Sequence, residues 1–156
     1  MAEKIPTILV VEDEAMLALT MEIALQDAGY EVVTAMNAGT AIDALEADAE
    51  RFAAVVTDIR MPGKGDGWDV GRRARDLREE MPVLYVTGDS ETSWRANGVP
   101  DSALLMKPFT LEAIVQQIEE QIQTRRGYLL RSRPDETSGP SRKWPWSVAA
   151  DRQRSG

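Results

Sequence analysis

Glu12, Asp13, Asp58, Thr87 and Lys107 each stand at or just past the end of a short apolar run. Brought together, the three carboxylates would repel one another unless a cation neutralised them. Magnesium takes a few carboxylate oxygens and keeps waters, so Glu12, Asp13 and Asp58 suit it. Lys107 adds a fixed positive charge and Thr87 a hydroxyl donor. A carboxylate nucleophile beside a metal, a lysine and a hydroxyl is equipped for phosphoryl transfer, because all three helpers stabilise negative charge on the transferred oxygens. The expected product is an aspartyl phosphate. Composition narrows the field further, since the chain has no cysteine and no histidine. That excludes disulfides, thiolate chemistry, His-ligated zinc and any imidazole base.

Taken singly, the same residues have ordinary readings. An acidic pair after a strand is usually a helix N-cap with a first-turn acid, which would suffice for Asp13 with Glu14. Asp58 alone would be a turn residue, Thr87 a capping hydroxyl, and Lys107 before Pro108 a solvated charge. Their joint placement at strand ends favours the site.

The elements that must position them follow from the pattern along 156 residues, a length that suits one domain with a proper core. Buried strands are expected at Thr7 to Val11, Glu31 to Ala35, Phe52 to Thr57, Pro82 to Thr87 and Ala103 to Met106. Helices are expected from Ala15 to Ala28, Ala38 to Asp48, Trp68 to Glu80 and Leu111 to Thr124, the last capped by Thr110. Glu91 to Val99 is polar and weakly patterned, so the fourth helix should be short or irregular. Strands alternating with helices predict an α/β, doubly wound, five-stranded parallel sheet with helices on both faces and right-handed connections. In such sheets ligands bind beyond the carboxyl ends of the strands, which is where the five residues lie.

Val11-Glu12-Asp13-Glu14, Thr57-Asp58-Ile59-Arg60-Met61-Pro62-Gly63, Val86-Thr87-Gly88-Asp89 and Lys107-Pro108-Phe109 resemble the sequence blocks of response-regulator receiver domains, from residue 7 to about 124. The resemblance implies a flavodoxin-like sheet of order 2-1-3-4-5. It also implies that Asp58 accepts phosphate from a partner histidine and that Thr87 and Lys107 contact the phosphoryl oxygens. Glu12, Asp13, Asp58 and the backbone carbonyl of Arg60 would hold Mg2+. Three features depart from the usual pattern. Leu104 stands where receivers carry an aromatic three residues before the lysine, as in a subgroup with a Thr-Gly motif after strand four. The loop after Asp58 is longer by one residue, at Lys64-Gly65, and the stretch between Thr87 and Lys107 is short. The Arg60 side chain would either meet the phosphate and hinder water or stay a solvated loop arginine, and both readings stand.

The first helix is apolar around more of its circumference than core packing needs, and Met16, Leu17 and Thr20 are expected outward near Asp58, where a histidine kinase or phosphotransfer protein would dock. A core or dimer contact is the alternative. Residues 1–126 carry 12 basic and 23 acidic side chains and residues 127–156 carry 6 and 3, so the first part has a net charge of −11 and the tail +3. Such an acidic body repels nucleic acid. The tail reads as a basic, flexible segment in which Trp144-Pro145-Trp146 could anchor a partner, meet a lipid surface or fold back, and it is too short and polar for a DNA-binding domain. No apolar run is long enough for a membrane span and no signal peptide is visible, so a cytoplasmic protein is expected.

These features predict a receiver domain at 1–126 followed by a tail, a single-domain response regulator signalling through an unknown downstream protein or acting as a phosphate shuttle or sink. It would not be an enzyme beyond its self-catalysed phosphoryl transfer and dephosphorylation. The rivals are a degenerate receiver that binds without phosphate and an aspartate-nucleophile phosphatase of the haloacid dehalogenase type. The second wants an aspartate where Arg60 stands. A tail that binds nucleic acid under receiver control is a further possibility.

Overall fold

The computed structural model describes residues 5–88 and 91–131. Five strands, β1 (Thr7–Val11), β2 (Glu31–Ala35), β3 (Phe52–Asp58), β4 (Val83–Thr87) and β5 (Ala103–Met106), form one parallel sheet in the order β2-β1-β3-β4-β5. The helices between and after them are α1 (Ala15–Asp27), α2 (Ala38–Ala47), α3 (Gly67–Leu77), α4 (Glu91–Asn97) and α5 (Leu111–Arg131). β1 and β4 are buried from end to end and β3 everywhere but Ala53, as largely apolar, valine-rich strands covered on both faces should be. β2, at one edge, is largely open.

Alternation along the strands sorts the core into two halves. Leu9, Val11, Val55, Val83 and Tyr85 face α2, α3 and Trp94 of α4, where Ala41, Leu45, Val70 and Ala74 meet them. Ile8, Val10, Val56, Leu84 and Val86 face α1 and α5, packing on Met21, Leu25, Ile114 and Ile118.

Local chemistry sets several helix starts. Asn37 accepts the Thr40 N–H at 2.8 Å to begin α2, and Asp66 and Asp69 form a reciprocal capping box at the start of α3. Thr110 caps α5 as expected, its hydroxyl accepting the Ala113 N–H at 3.1 Å. Glu14 is the N-cap of α1, yet its side chain makes no capping bond, so the acids after β1 are not explained as a cap.

The differences from expectation lie at helix ends. α3 stops at Leu77 rather than Glu80, because Arg78 turns extended and its guanidinium donates to the Phe52 carbonyl at 2.5 Å. A single 3-10 turn, Ala49–Arg51, follows α2. α5 continues seven residues past Thr124, through a stretch whose arginines and leucines favour helix despite Gly127, so the change in composition after residue 126 falls inside a helix. Trp144-Pro145-Trp146 and the remainder of the tail lie outside the described residues. Among the described residues no helix is long and apolar enough to cross a membrane.

α5 is fastened to the loop before β5 by a buried ion pair. Arg125 donates to the Asp101 carboxylate at 2.5 Å and to the carbonyls of Glu79 and Glu80. Asp101 holds a left-handed φ of 63°, which aspartate tolerates better than most residues.

Candidate functional site

Parallel register brings the five residues together. Val11 pairs with Thr57, so Glu12 and Asp58 follow in step on neighbouring strands. Asp58 pairs with Val86 and Thr87 with Met106, which places Thr87 one residue beyond Asp58 and Lys107 just past Thr87. Glu12, Asp58 and Lys107 continue the alternation of the strand positions facing α1 and α5. Lys107 is tied down by its own N–H, which donates to the Thr87 carbonyl at 2.8 Å.

The cluster they form is acidic and mostly buried. Glu12, Asp58 and Thr87 are buried and Asp13 is half-buried. One ligand oxygen from each of Glu12, Asp13 and Asp58 lies within 4.8 Å of the others. Asp58 Oδ1 accepts the Ile59 N–H at 2.8 Å and Oδ2 accepts Lys107 Nζ at 3.2 Å. Glu12 Oε2 accepts the Glu14 N–H at 3.1 Å, while Oε1, 3.6 Å from Lys107 Nζ, is buried without a hydrogen bond. Burial pushes the Glu12 carboxyl up to about 7, against the Glu14 N–H and with help from the Asp58 charge. Burial also pulls on the Lys107 ammonium, but the charges of Asp58 and Glu12 overcome it and raise the ammonium above its ordinary value.

These residues fit a hard divalent cation. An orphaned carboxylate oxygen among three converging acids wants a positive partner, and an all-oxygen donor set matches magnesium. Arg60 follows in an exposed part of the loop.

The glycine-rich loop after Asp58 shows why its spacing matters. Gly63 and Gly65 adopt φ of 94° and 84°. Gly67 opens α3 directly on the backbone of Asp58: its N–H donates to the Ile59 carbonyl at 2.8 Å, and a Cβ there would stand 2.2 Å from the Asp58 carbonyl oxygen.

On α1 the expectation is met only in part. Met16 is 71% exposed, but Leu17 turns inward and packs against the core with Leu25 and Ile114. Thr20 is half-buried and donates its hydroxyl to the Met16 carbonyl at 2.7 Å. The outward apolar residues are Met16, Leu19 and Ile23. A helix apolar on nearly every side has no period from which to choose a face, which is why Leu17 and Leu19 are exchanged.

Leu104 is half-buried and pairs in register with Tyr85, a residue no motif singled out. The Tyr85 hydroxyl accepts the Val99 N–H, a contact across 14 residues that only the folded sheet reveals.

The family whose description matches is "Response regulator receiver domain", over residues 8–119. A receiver protein from Sinorhizobium medicae WSM419 aligns with 39% identity and a TM-score of 0.75, covering 78% of this chain and 98% of that one. The response regulator receiver protein CpdR of Brucella abortus is 31% identical over 117 residues, 74% of this chain and 95% of its own length. The response regulator MprA of Mycolicibacterium vanbaalenii is 33% identical over 136 residues, 86% of this chain, which spans only 54% of that regulator. The receiver domain of the sensor kinase PA1611 from Pseudomonas aeruginosa holds a magnesium ion in its active site cleft; it has 25% identity and a TM-score of 0.66, covering 77% of this chain and 99% of that one.

Proposed function

This chain belongs to the response-regulator receiver family of two-component signalling, and from that membership we propose that Asp58 accepts a phosphoryl group from a histidine kinase or phosphotransfer protein. The observation that supports this most directly is the meeting of Asp58 with Glu12, Asp13, Thr87 and Lys107 at the carboxyl end of the sheet. An Asp58 carboxylate oxygen attacks the phosphorus of phosphohistidine; the P–O bond forms as the P–N bond breaks, and the electron pair leaves with the imidazole. Glu12, Asp13, Asp58 and the Arg60 main-chain carbonyl would hold a magnesium ion, which when bound neutralises charge on the phosphoryl oxygens. Lys107, already drawn to Asp58 at 3.2 Å, and the Thr87 hydroxyl bind those same oxygens.

The protein supplies site and nucleophile for its own modification and is not a turnover enzyme. In this reading it works in the cytoplasm as a single-domain regulator, shuttle or phosphate sink, and its output is protein contact. The phosphodonor docks on the outward face of α1, where Met16, Leu19 and Ile23 are exposed.

The test is intact mass after incubation with acetyl phosphate and Mg2+, wild type beside Asp58→Asn. One phosphoryl group is expected on the wild type and none on the variant. Equal uptake by both would place the acceptor elsewhere. No uptake by the wild type from acetyl phosphate or from a phosphorylated histidine phosphotransfer protein would leave a receiver that works by binding alone.

A further inference from the structure

Tyr85 is wholly buried on β4, two residues before Thr87. Its ring lies 4.8 Å from that of Trp68, and its hydroxyl accepts the Val99 N–H at 3.1 Å just beyond α4. Space for the hydroxyl comes from Gly71 of α3, where a Cβ would stand 2.1 Å from the phenol oxygen. Burying a phenol is costly unless it is hydrogen-bonded, and the side chain of its register neighbour on β5, Leu104, has no polar atom to offer. What a tyrosine supplies here that a phenylalanine cannot is the Val99 contact.

Beyond Val99 the bonds run into α4. The Val99 carbonyl accepts the Ser102 hydroxyl at 2.6 Å, and that hydroxyl accepts the indole N–H of Trp94 at 3.0 Å. The rest of this loop is held by arginines from other elements: Arg75 of α3 donates to the Pro100 and Asp101 carbonyls, and Arg125 of α5 to the Asp101 carboxylate. Tyr85 makes a hydrogen bond from the strand bearing Thr87 to this loop.

We propose that Tyr85 is a positioning residue whose hydroxyl holds Val99, and with it the end of α4, in step with β4, so that displacement of the Thr87 end of the strand reaches α4 through this bond. The ring acts as a fixed pin, because Gly71 and Trp68 enclose it and leave no exposed face. The static half of this proposal stands by itself; the transmitted half rests on the reading of Asp58 as phosphoacceptor.

Tyr85→Phe keeps the ring and removes only the hydroxyl, leaving the Val99 N–H buried and unpaired. Amide hydrogen exchange read by NMR on the metal-free protein should show Val99 exchanging about five- to tenfold faster in the variant, with β4 amides unchanged. Unchanged Val99 exchange would overturn the proposal. With Mg2+ and beryllofluoride as the phosphoryl mimic, the 15N-indole resonance of Trp94 should shift in the wild type and shift by less than half as much in Tyr85→Phe. A full Trp94 shift in the variant would overturn the transmitted half. Phosphoryl uptake measured by intact mass should match the wild type, since Tyr85 does not touch the reacting groups. If the wild type takes up no phosphoryl group, the functional reading fails, while the static half is still decided by Val99 exchange.

Discussion

Lys107 sets one positive charge against the three carboxylates of Glu12, Asp13 and Asp58. With their oxygens within 4.8 Å of one another, two of these carboxylates repel by roughly 3 kcal/mol when both are ionised, at an effective dielectric of about 20. Part of that cost is met by the raised Glu12 carboxyl. The lysine offsets only part of this, so the metal-free site is held together by the surrounding strands rather than by its own contacts. Asp13 is the most exposed of the three acids and makes the cleanest probe. Asp13→Asn should raise the metal-free midpoint of thermal unfolding by an amount worth about 1 kcal/mol. It should also lose most of the stabilisation that millimolar Mg2+ confers on the wild type. Thermal melts of both proteins in EDTA and in Mg2+ check this, and a variant that melts lower than wild type in EDTA would contradict the charge argument.

At the scale of elements, the site depends on how closely α3 sits on the end of β3. With hydrogen in place of a side chain, Gly67 lets the first turn of α3 rest on the Asp58 carbonyl, and the obstacle a Cβ would meet is backbone, which cannot rotate aside. Gly67→Ala should therefore cost about 2–3 kcal/mol in urea unfolding and slow phosphoryl uptake from acetyl phosphate, because relief requires shifting the nucleophile or the helix. A substitution at Gly63, where nothing lies within 4 Å, would act only through its positive φ and makes the control. The strands were legible in the residues, because unbroken runs such as Ile8-Leu9-Val10-Val11 and Val83-Leu84-Tyr85-Val86 fit burial on both faces. Once the strands were placed, the site followed, since Glu12, Asp58, Thr87 and Lys107 all take their positions from strand ends. Features decided by distant partners were not legible. The stop of α3 at Leu77 depends on Arg78 reaching the Phe52 carbonyl, and the loop before β5 depends on Arg125 and Asp101, 24 residues apart. Tyr85 reads as one more apolar strand residue until Gly71 and Val99 are seen around its hydroxyl.

For the molecule as a whole, the proposed phosphodonor would meet an acidic body, and α1 offers it an apolar stripe. Met16, Leu19 and Ile23 are 71%, 50% and 50% exposed, at spacings that keep them on one side of the helix. Met16 lies in the first turn, a few residues after Glu12, so a partner seated on the stripe would reach the mouth of the Asp58 pocket. Exposed apolar side chains in a row mark contact surfaces more often than chance placement does, and methionine adapts to varied partners. Because none of the three supports the core, a charge placed on the stripe should disturb docking and leave the pocket intact. Leu19→Glu and Ile23→Glu should each slow phosphoryl transfer from a cognate histidine phosphotransfer protein about tenfold or more, in line with the loss of an interface anchor. Uptake from acetyl phosphate, which needs only the pocket, should be unchanged. Slowing with both donors would locate the effect in the fold, whereas full rates with the protein donor would move the docking surface off this helix. The contrast between the two donors separates recognition by α1 from chemistry at Asp58.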